Sequence, residues 1–142
     1  MKVRDARAAD AAALTGLLAE LGYPECGGLL PERLRDFADD AASFVLVAED
    51  AGRVLGLASA SVMPLLHEDG SWCRLSALVV TGDSRRAGVG RALVAEVEAR
   101  ARARGCRYLE VTSGERPERE AAHGFYRALG LEEVSRRYLK EL

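Results

Sequence analysis

The residues with the clearest chemical potential lie between Leu75 and Leu93, in the run LSALVVTGDSRRAGVGRAL. Leu78, Val79 and Val80 have strand character, and Thr81-Gly82-Asp83-Ser84 reads as a turn. Arg85 to Arg91 then carries two glycines and three arginines, after which Leu93, Val94 and Val97 recur at helical spacing. A strand, a glycine-rich turn and a helix start together aim backbone N–H groups at an anion. Gly88 and Gly90 have no side chain, so a phosphate can come close to the main chain there. The helix dipole puts partial positive charge at the same point, and Arg85, Arg86 and Arg91 add whole charges. The stretch therefore reads as a cradle for a pyrophosphate.

Three phosphate-binding patterns compete for these residues. A nucleoside-triphosphate loop needs Lys followed by Ser or Thr after its last glycine. Gly90 is followed by Arg91 and Ala92, which excludes it. The dinucleotide pattern G-x-G-x-x-G fits Gly88 and Gly90 but meets Leu93 at its third position. Glu110 stands near where a ribose-binding acid belongs, so a nucleotide-binding oxidoreductase stays an alternative. The third pattern, R-x-x-G-x-G after a strand of small aliphatics, is matched in full by Arg85-Arg86-Ala87-Gly88-Val89-Gly90.

Composition narrows the class. The chain has 142 residues, 49% apolar and 30% charged, which suits one globular domain spanning 1–142. Twenty basic residues against 22 acidic leave a net charge of -2, unlike the basic excess of a nucleic-acid binder. No apolar run reaches membrane-spanning length, and MKVRDARAAD lacks an apolar signal core. Cytoplasmic residence, with no nucleic-acid and no membrane partner, is the expectation. Cys26, Cys73 and Cys106 are far apart and have no metal-ligand or redox spacing, so no metal is expected and the thiols read as buried or idle. The preference for Ala and Arg over Lys points to a GC-rich bacterial source.

The cradle needs elements to hold it. Lys2–Arg7 is a predicted strand, and Asp10 is placed to cap a helix with the stripe Leu14, Leu17, Leu18 and Leu21. Gly22 ends that helix, and a loop leads to Pro31 and a second helix facing inward with Leu34, Phe37 and Ala41. Ser43–Glu49 and Val54–Met63 are predicted strands joined by a turn at Asp50–Arg53, the second stopped by Pro64. Trp72–Val80 is the strand entering the cradle, Val89–Arg104 the helix leaving it, and Cys106–Ser113 the next strand. Gly114–Arg116 reads as a loop, Pro117 opens a helix striped by Ala122, Phe125, Tyr126 and Leu129, and Val134–Leu139 is a last predicted strand. The order β-α-α-β-β-β-α-β-α-β predicts an α/β (α+β) domain with helices on both faces of a mixed, mostly antiparallel sheet of about six strands. The crossover through the long helix makes its two flanking strands parallel.

A second motif joins the first. His123-Gly124-Phe125-Tyr126-Arg127-Ala128-Leu129-Gly130-Leu131 resembles the A-x-x-F-Y-x-x-x-G-F segment of the GNAT superfamily of acetyl-CoA-dependent N-acetyltransferases, and the R-x-x-G-x-G match resembles the same family's cofactor signature. The element order is similar to the family's over essentially the whole chain, including the ending Ser135-Arg136-Arg137-Tyr138-Leu139-Lys140. The resemblance implies direct acetyl transfer from acetyl-CoA, as cosubstrate, to an amine. It puts the pantetheine arm beside Leu78, Val79 and Val80, and the pyrophosphate on the N–H groups of Arg86 to Arg91.

Site roles follow from that resemblance. Tyr126 matches the family's usual general acid, placed near the CoA sulfur. Many relatives carry Glu on the strand entering the cradle, where this chain has Ser76. Leu109-Glu110-Val111 matches relatives whose base is on the following strand, while a solvent-facing or arginine-paired Glu110 is the plain alternative. His67 and His123 are candidate ligands or bases by type only, and a surface-loop imidazole is more often a bystander. The family's helix-preceding Asn is replaced near Arg119. Glu25, Glu32, Asp36, Asp39, Asp40, Glu68 and Asp69 give the acceptor side an acidic tone, suited to a cationic amine such as an aminoglycoside, a polyamine or a peptide N-terminus. A solvated acidic face explains Asp39 and Asp40 as well. Ser76 also motivates a second reading, an acyl-CoA-binding regulatory module without turnover. Relatives often pair through their last strands or sheet edges, which leaves a homodimer open.

Overall fold

A computed structural model describes residues 1–115 and 117–142. The predicted loop at Gly114–Arg116 therefore falls partly outside the described residues, at Arg116. The elements are β1 (Lys2–Asp5), α1 (Ala11–Leu21), α2 (Leu30–Asp39), β2 (Ser43–Asp50), β3 (Arg53–Pro64), β4 (Ser71–Val80), α3 (Val89–Ala103), β5 (Cys106–Val111) and α4 (Glu120–Ala128), with short 3-10 turns at Ala8–Asp10, Gly82–Ser84 and Pro117–Arg119. Sequential strands are neighbours, β1-β2-β3-β4-β5. All pairs are antiparallel except β4 with β5, the pair joined through α3.

The side-chain alternation of the strands splits the core between the two faces of the sheet. One face carries Phe44, Leu46, Ala58, Cys73 and Leu75, covered by Leu93, Val94 and Val97 of α3 and by Tyr126 of α4. The other carries Val47, Leu57 and Val79, covered by Leu14 and Leu17 of α1 and by Leu30 and Leu34 of α2. The stripe predicted for α1 is thus the buried one, and Gly22 ends the helix at φ 111, a left-handed conformation that glycine adopts without a Cβ clash.

Two register shifts shape β4. Ser59 pairs with Ala77 and Ala60 with Leu75, so Ser76 is the extra residue of a bulge. Before the bulge Cys73 and Leu75 face α3; after it Leu78 and Val80 do, while Ala77 and Val79 face α1. The second shift lies at Ser71/Trp72, on the β5 side. The last β4–β5 pair is Leu75 with Val111, although β4 runs on to Val80. Beyond Leu75 the two strands part, and among the described residues Ser76–Val80 has a sheet partner on one edge only.

Three expectations change. Five strands form among the described residues, not six: Val134–Leu139 is in no strand, and Glu132–Leu142 is exposed throughout. An alternating pattern makes a strand only where an edge lies within hydrogen-bonding reach, and among the described residues no backbone hydrogen bond ties this segment to a strand. Asp10 precedes α1 but does not cap it with its side chain. Its carboxylate instead accepts the Arg7 N–H at 2.7 Å and two bonds from Arg4 at 2.8 and 2.9 Å. Finally, Pro117 opens a 3-10 turn, and the α-helix proper starts at Glu120.

Candidate active site

The cradle is built where β4 stops. Thr81 N–H still bonds Leu55 O at 2.9 Å, after which the chain leaves the sheet. Asp83 holds the turn: its carboxylate accepts Thr81 Oγ1 at 2.8 Å, Ser84 Oγ at 3.1 Å and Arg53 Nη2 at 2.6 Å. Those donors, Arg53 foremost, lower its pKa to about 2. Arg86 takes φ 66 and Gly88 φ 82, so the main chain winds through two left-handed residues before α3 begins at Val89. Alternation of helical and left-handed residues turns successive N–H groups to one side. The first N–H groups of α3 have no acceptor within the helix.

The glycines have different reasons. A Cβ on Gly88 would meet nothing within 4 Å, so the space in front of it is open to a ligand. A Cβ on Gly90 would stand 3.2 Å from Phe125 Cζ and 3.7 Å from Val80 Cγ2. Gly90 therefore lets α4 pack against the start of α3 and the end of β4. Gly56 was not singled out from sequence; a Cβ there would come within 2.8 Å of Val79 O and 3.2 Å of Val89 Cγ1. It lets β3 press β4 and α3 together under the cradle.

Leu78, Val79 and Val80 form the end of β4 whose outer edge has parted from β5. Val79 is buried under α1, and Leu78 and Val80 are half-buried under α3 and α4. Arg85 leans to α1, with Nη2 at 3.6 Å from Glu20 Oε2. Ala87 closes the turn, its N–H 3.4 Å from Ser84 O. Val89 is buried; Arg86 and Arg91 are exposed, with no carboxylate within 4.0 Å among the described residues. A hollow of about 530 Å³ adjoins the turn between α1 and the β2–β3 hairpin, lined by Glu20, Arg53 and Thr81, but it contains neither Tyr126 nor Glu110.

Tyr126 is 9% exposed and sits in the α3–α4 core, its ring edge-on to Phe125 at 5.5 Å between centroids. Burial pushes the phenol's pKa above its usual value, with Arg119 pulling more weakly the other way. Among the described residues its hydroxyl makes no hydrogen bond, and its oxygen is not one of the fully enclosed unpartnered atoms. Arg119 reaches Ser113 Oγ at 3.4 Å from the turn ahead of α4.

Glu110 lies on the opposite face of β5 from Leu109 and Val111. It is paired in register with Arg74, whose Nε donates to Oε1 at 2.6 Å. Arginine pairing thus engages Oε1, and no hydrogen bond engages Oε2 among the described residues. Ser76, in the bulge, donates to Ser59 O at 3.0 Å and lies 3.0 Å from Ser59 Oγ. The sheet face beyond α1 thus presents Ser59, Ser76, Arg74 and Glu110 side by side, a polar floor leading to the parted strands. Ser59 and Arg74 could not be read from sequence, because their contacts with Ser76 and Glu110 depend on two strand registers that each carry a one-residue shift. The histidines stand apart: His123 Nε2 is 2.9 Å from Gly114 O, tying α4 to its preceding loop, and His67 is exposed beside Glu68. Burial pushes the Cys73 thiol up to about 11 and that of Cys106 upward, which keeps both protonated and unreactive. Among the described residues no group of acids, histidines and cysteines is placed to hold a metal, and no helix is long and apolar enough to cross a membrane.

Comparison with known proteins agrees with this geometry. Residues 13–131 match the acetyltransferase (GNAT) family. An aminoglycoside N(6')-acetyltransferase type 1 from Stenotrophomonas maltophilia is 34% identical over 94% of this chain and 88% of its own. The aminoglycoside N-acetyltransferase AAC(6')-Iy, solved in complex with CoA, superposes with a TM-score of 0.81 at 20% identity, covering 99% of this chain and 98% of that one. A putative acetyltransferase from Agrobacterium tumefaciens str. C58 gives 0.84 at 19% identity over 100% of both chains. The last two likenesses concern the fold. Matched over most of its length in sequence, in element order and in the glycine turn after β4, the chain belongs to the GNAT acetyltransferase family, an N-acetyltransferase that moves an acetyl group from acetyl-CoA to an amine.

Proposed function

We propose that the acceptor is a cationic amine, an aminoglycoside before a polyamine or a peptide N-terminus, and that transfer is direct, in a ternary complex. The observation that carries the site is the parting of β4 from β5 beyond Leu75, which leaves a strand edge running into the Arg86–Arg91 turn. That edge suits the amides of a pantetheine arm, and the turn suits a pyrophosphate. Leu78, Val79, Val80 and the segment Arg85-Arg86-Ala87-Gly88-Val89-Gly90-Arg91 are the assigned cosubstrate contacts.

The acid and base are Tyr126 and Glu110 in this reading. A neutral amine attacks the thioester carbonyl; the C–N bond forms, the C–S bond breaks, and the sulfur leaves as thiolate. Tyr126 would give that sulfur its proton and recover one from solvent. A buried phenol held above its ordinary pKa stays protonated at neutral pH, as a donor must. Glu110, through Oε2, would take the proton the ammonium loses before attack and pass it to solvent, the acylated nitrogen would then shed its second proton to solvent, and Arg74 fixes the carboxylate. The acceptor reading is supported by the aminoglycoside-modifying relative and by the acidic residues of the first third of the chain. The transfer as written uses no metal, and cytoplasmic residence in a bacterium fits a reaction drawing on acetyl-CoA.

Thiol release from acetyl-CoA across a panel of aminoglycosides, polyamines and peptides tests this reading. Saturable turnover with an aminoglycoside at the highest kcat/KM is the expected result. Turnover only with another amine class would refute the acceptor assignment. CoA binding without transfer to any amine would favour the regulatory module that Ser76, in the usual acid position, keeps in view.

A further inference from the structure

The polar floor beside the parted strands holds two hydroxyls whose protons can be placed. Ser76 Oγ is 3.0 Å from Ser59 O, a carbonyl that only accepts, and 3.0 Å from Ser59 Oγ, which can do either. A hydroxyl has one proton and two lone pairs. Only one arrangement fills both contacts: Ser76 donates to the carbonyl, and Ser59 donates to Ser76. Ser59 Oγ then has no proton left to give, and its lone pairs are free to accept. Ser43 Oγ and Ser61 Oγ, also 3.0 Å apart, have no third partner among the described residues, so nothing sets the direction of their protons.

The bulge makes this arrangement. Ser76 is the residue left over between the Ser59–Ala77 and Ala60–Leu75 pairs, and its side chain turns to the face that carries Ser59. It is also the first residue after the last β4–β5 pair, Leu75 with Val111. Ser76 is exposed and Ser59 half-buried, so the pair can be reached from outside the sheet. An arm anchored at the Arg86–Arg91 turn and lying along Val80, Val79 and Leu78 brings its acyl end to Ser76. Arg74 and Glu110, joined at 2.6 Å, stand next on the same face.

We propose that Ser59 Oγ accepts an N–H hydrogen bond from the attacking primary amine, and that Ser76 is the positioning residue that keeps the Ser59 proton turned away from it. The inference rests on the parted β4 edge as the cosubstrate site. A neutral primary amine has two N–H groups and one lone pair, so an N–H held by Ser59 restricts where the lone pair points. As the C–N bond forms, positive charge grows on the nitrogen and its N–H becomes a stronger donor. The hydrogen bond to Ser59 therefore tightens in the transition state, which is the condition for raising kcat. No proton passes to either serine: Glu110 has taken the first before attack, and solvent takes the second.

Steady-state kinetics with the panel amine that the parent acetylates fastest test this, with amine and acetyl-CoA each varied. Ser59→Ala should lower kcat at least about threefold, in the range of one net hydrogen bond, with the KM for acetyl-CoA and the melting temperature unchanged. Ser76→Ala should lower kcat by less, because Ser59 keeps its oxygen and loses only the partner that directs its proton. The double variant should match Ser59→Ala, since both changes act through one oxygen. A smaller loss in Ser59→Ala overturns the proposal, and so does a loss confined to the amine's KM, which would make Ser59 a binding contact alone. A loss accompanied by a raised KM for acetyl-CoA or a lower melting temperature assigns the hydroxyl to the fold and overturns it as well. So do Ser76→Ala at the parent's kcat and a double variant whose loss is the product of the two single losses. A parent that acetylates no amine of the panel overturns the acceptor reading together with this one, whereas an active parent with an unaffected Ser59→Ala overturns this one alone.

Discussion

Tyr126 packs its ring into the core, and among the described residues its hydroxyl has no hydrogen-bond partner. Tyr126→Phe preserves the ring, the contact with Phe125 and the α4 stripe. If the phenol protonates the leaving sulfur, kcat should fall by about 10²–10⁴-fold in a thiol-release assay. Melting temperature and CoA affinity should stay near those of the parent; a loss in turnover under about threefold, below about 1 kcal/mol of barrier, removes Tyr126 from the role. Gly88 gives a second residue-scale prediction. Its missing Cβ faces open space, so Gly88→Glu meets no protein atom but puts a carboxylate where the pyrophosphate is assigned. Left-handed backbone at φ 82 costs a non-glycine about 1–2 kcal/mol, which the fold should survive. Isothermal titration should then find CoA binding abolished in a folded protein. Both residues were legible in the sequence because each belongs to a contiguous motif. The Arg74–Glu110 pair and the Ser59–Ser76 contact were not, since they depend on register, and each register carries a one-residue shift that no local pattern announces.

Elements were more legible than their junctions. Each of the five strands and four helices shows in the periodicity of its apolar residues, because each buries one face against a neighbour. Val134–Leu139 shows the limit of that signal: alternation reports a capacity to pair and says nothing of where the partner is. Asp10 shows another, since an acid before a helix can cap it or turn back to an arginine, and here Arg4 wins. Two element-scale predictions follow from packing. Gly56→Ala drives a methyl to within 2.8 Å of Val79 O, a backbone atom that cannot swing away. Overpacking of this kind costs about 1–3 kcal/mol, and chemical denaturation should show it together with weaker CoA binding, because Val79 belongs to the parted strand. Asp10 and Arg4 join the start of α1 to β1, both nearly buried, and Glu49 of β2 shares the guanidinium. Arg4 holds the Asp10 carboxyl below its usual range. A pKa lowered on folding gives stability that is complete above the unfolded value, about 3.9, and lost as pH falls through the lower folded value. Asp10→Asn should therefore cost about 1–3 kcal/mol at neutral pH, and the deficit should shrink as the parent is acidified below about pH 4.

At the scale of the molecule, the two cores are separated by the sheet, and the parted end of β4 lies between them. Val79 belongs to the α1–α2 core, while Leu78 and Val80 pack against the α3–α4 core. A ligand that spans the β4 edge and the α3 turn would therefore contact both halves. Such a ligand binds the folded chain alone, because the turn through Arg86 and Gly88 and the strand edge exist only when both cores are in place. At one hundred times its Kd it should stabilise the fold by about 2.7 kcal/mol. For a chain of this size that corresponds to a rise in Tm of roughly 5–10 °C. Scanning calorimetry with CoA, acetyl-CoA and NADH separates the readings of the glycine turn. CoA and acetyl-CoA should raise Tm by that amount at saturation and NADH should leave it unchanged. A shift with NADH in place of CoA would return Gly88, Gly90 and Glu110 to the dinucleotide pattern. Gly88→Glu supplies the control that locates the effect: with the turn blocked, the parent's rise in Tm should vanish, while the unliganded Tm drops only by the cost of one strained residue.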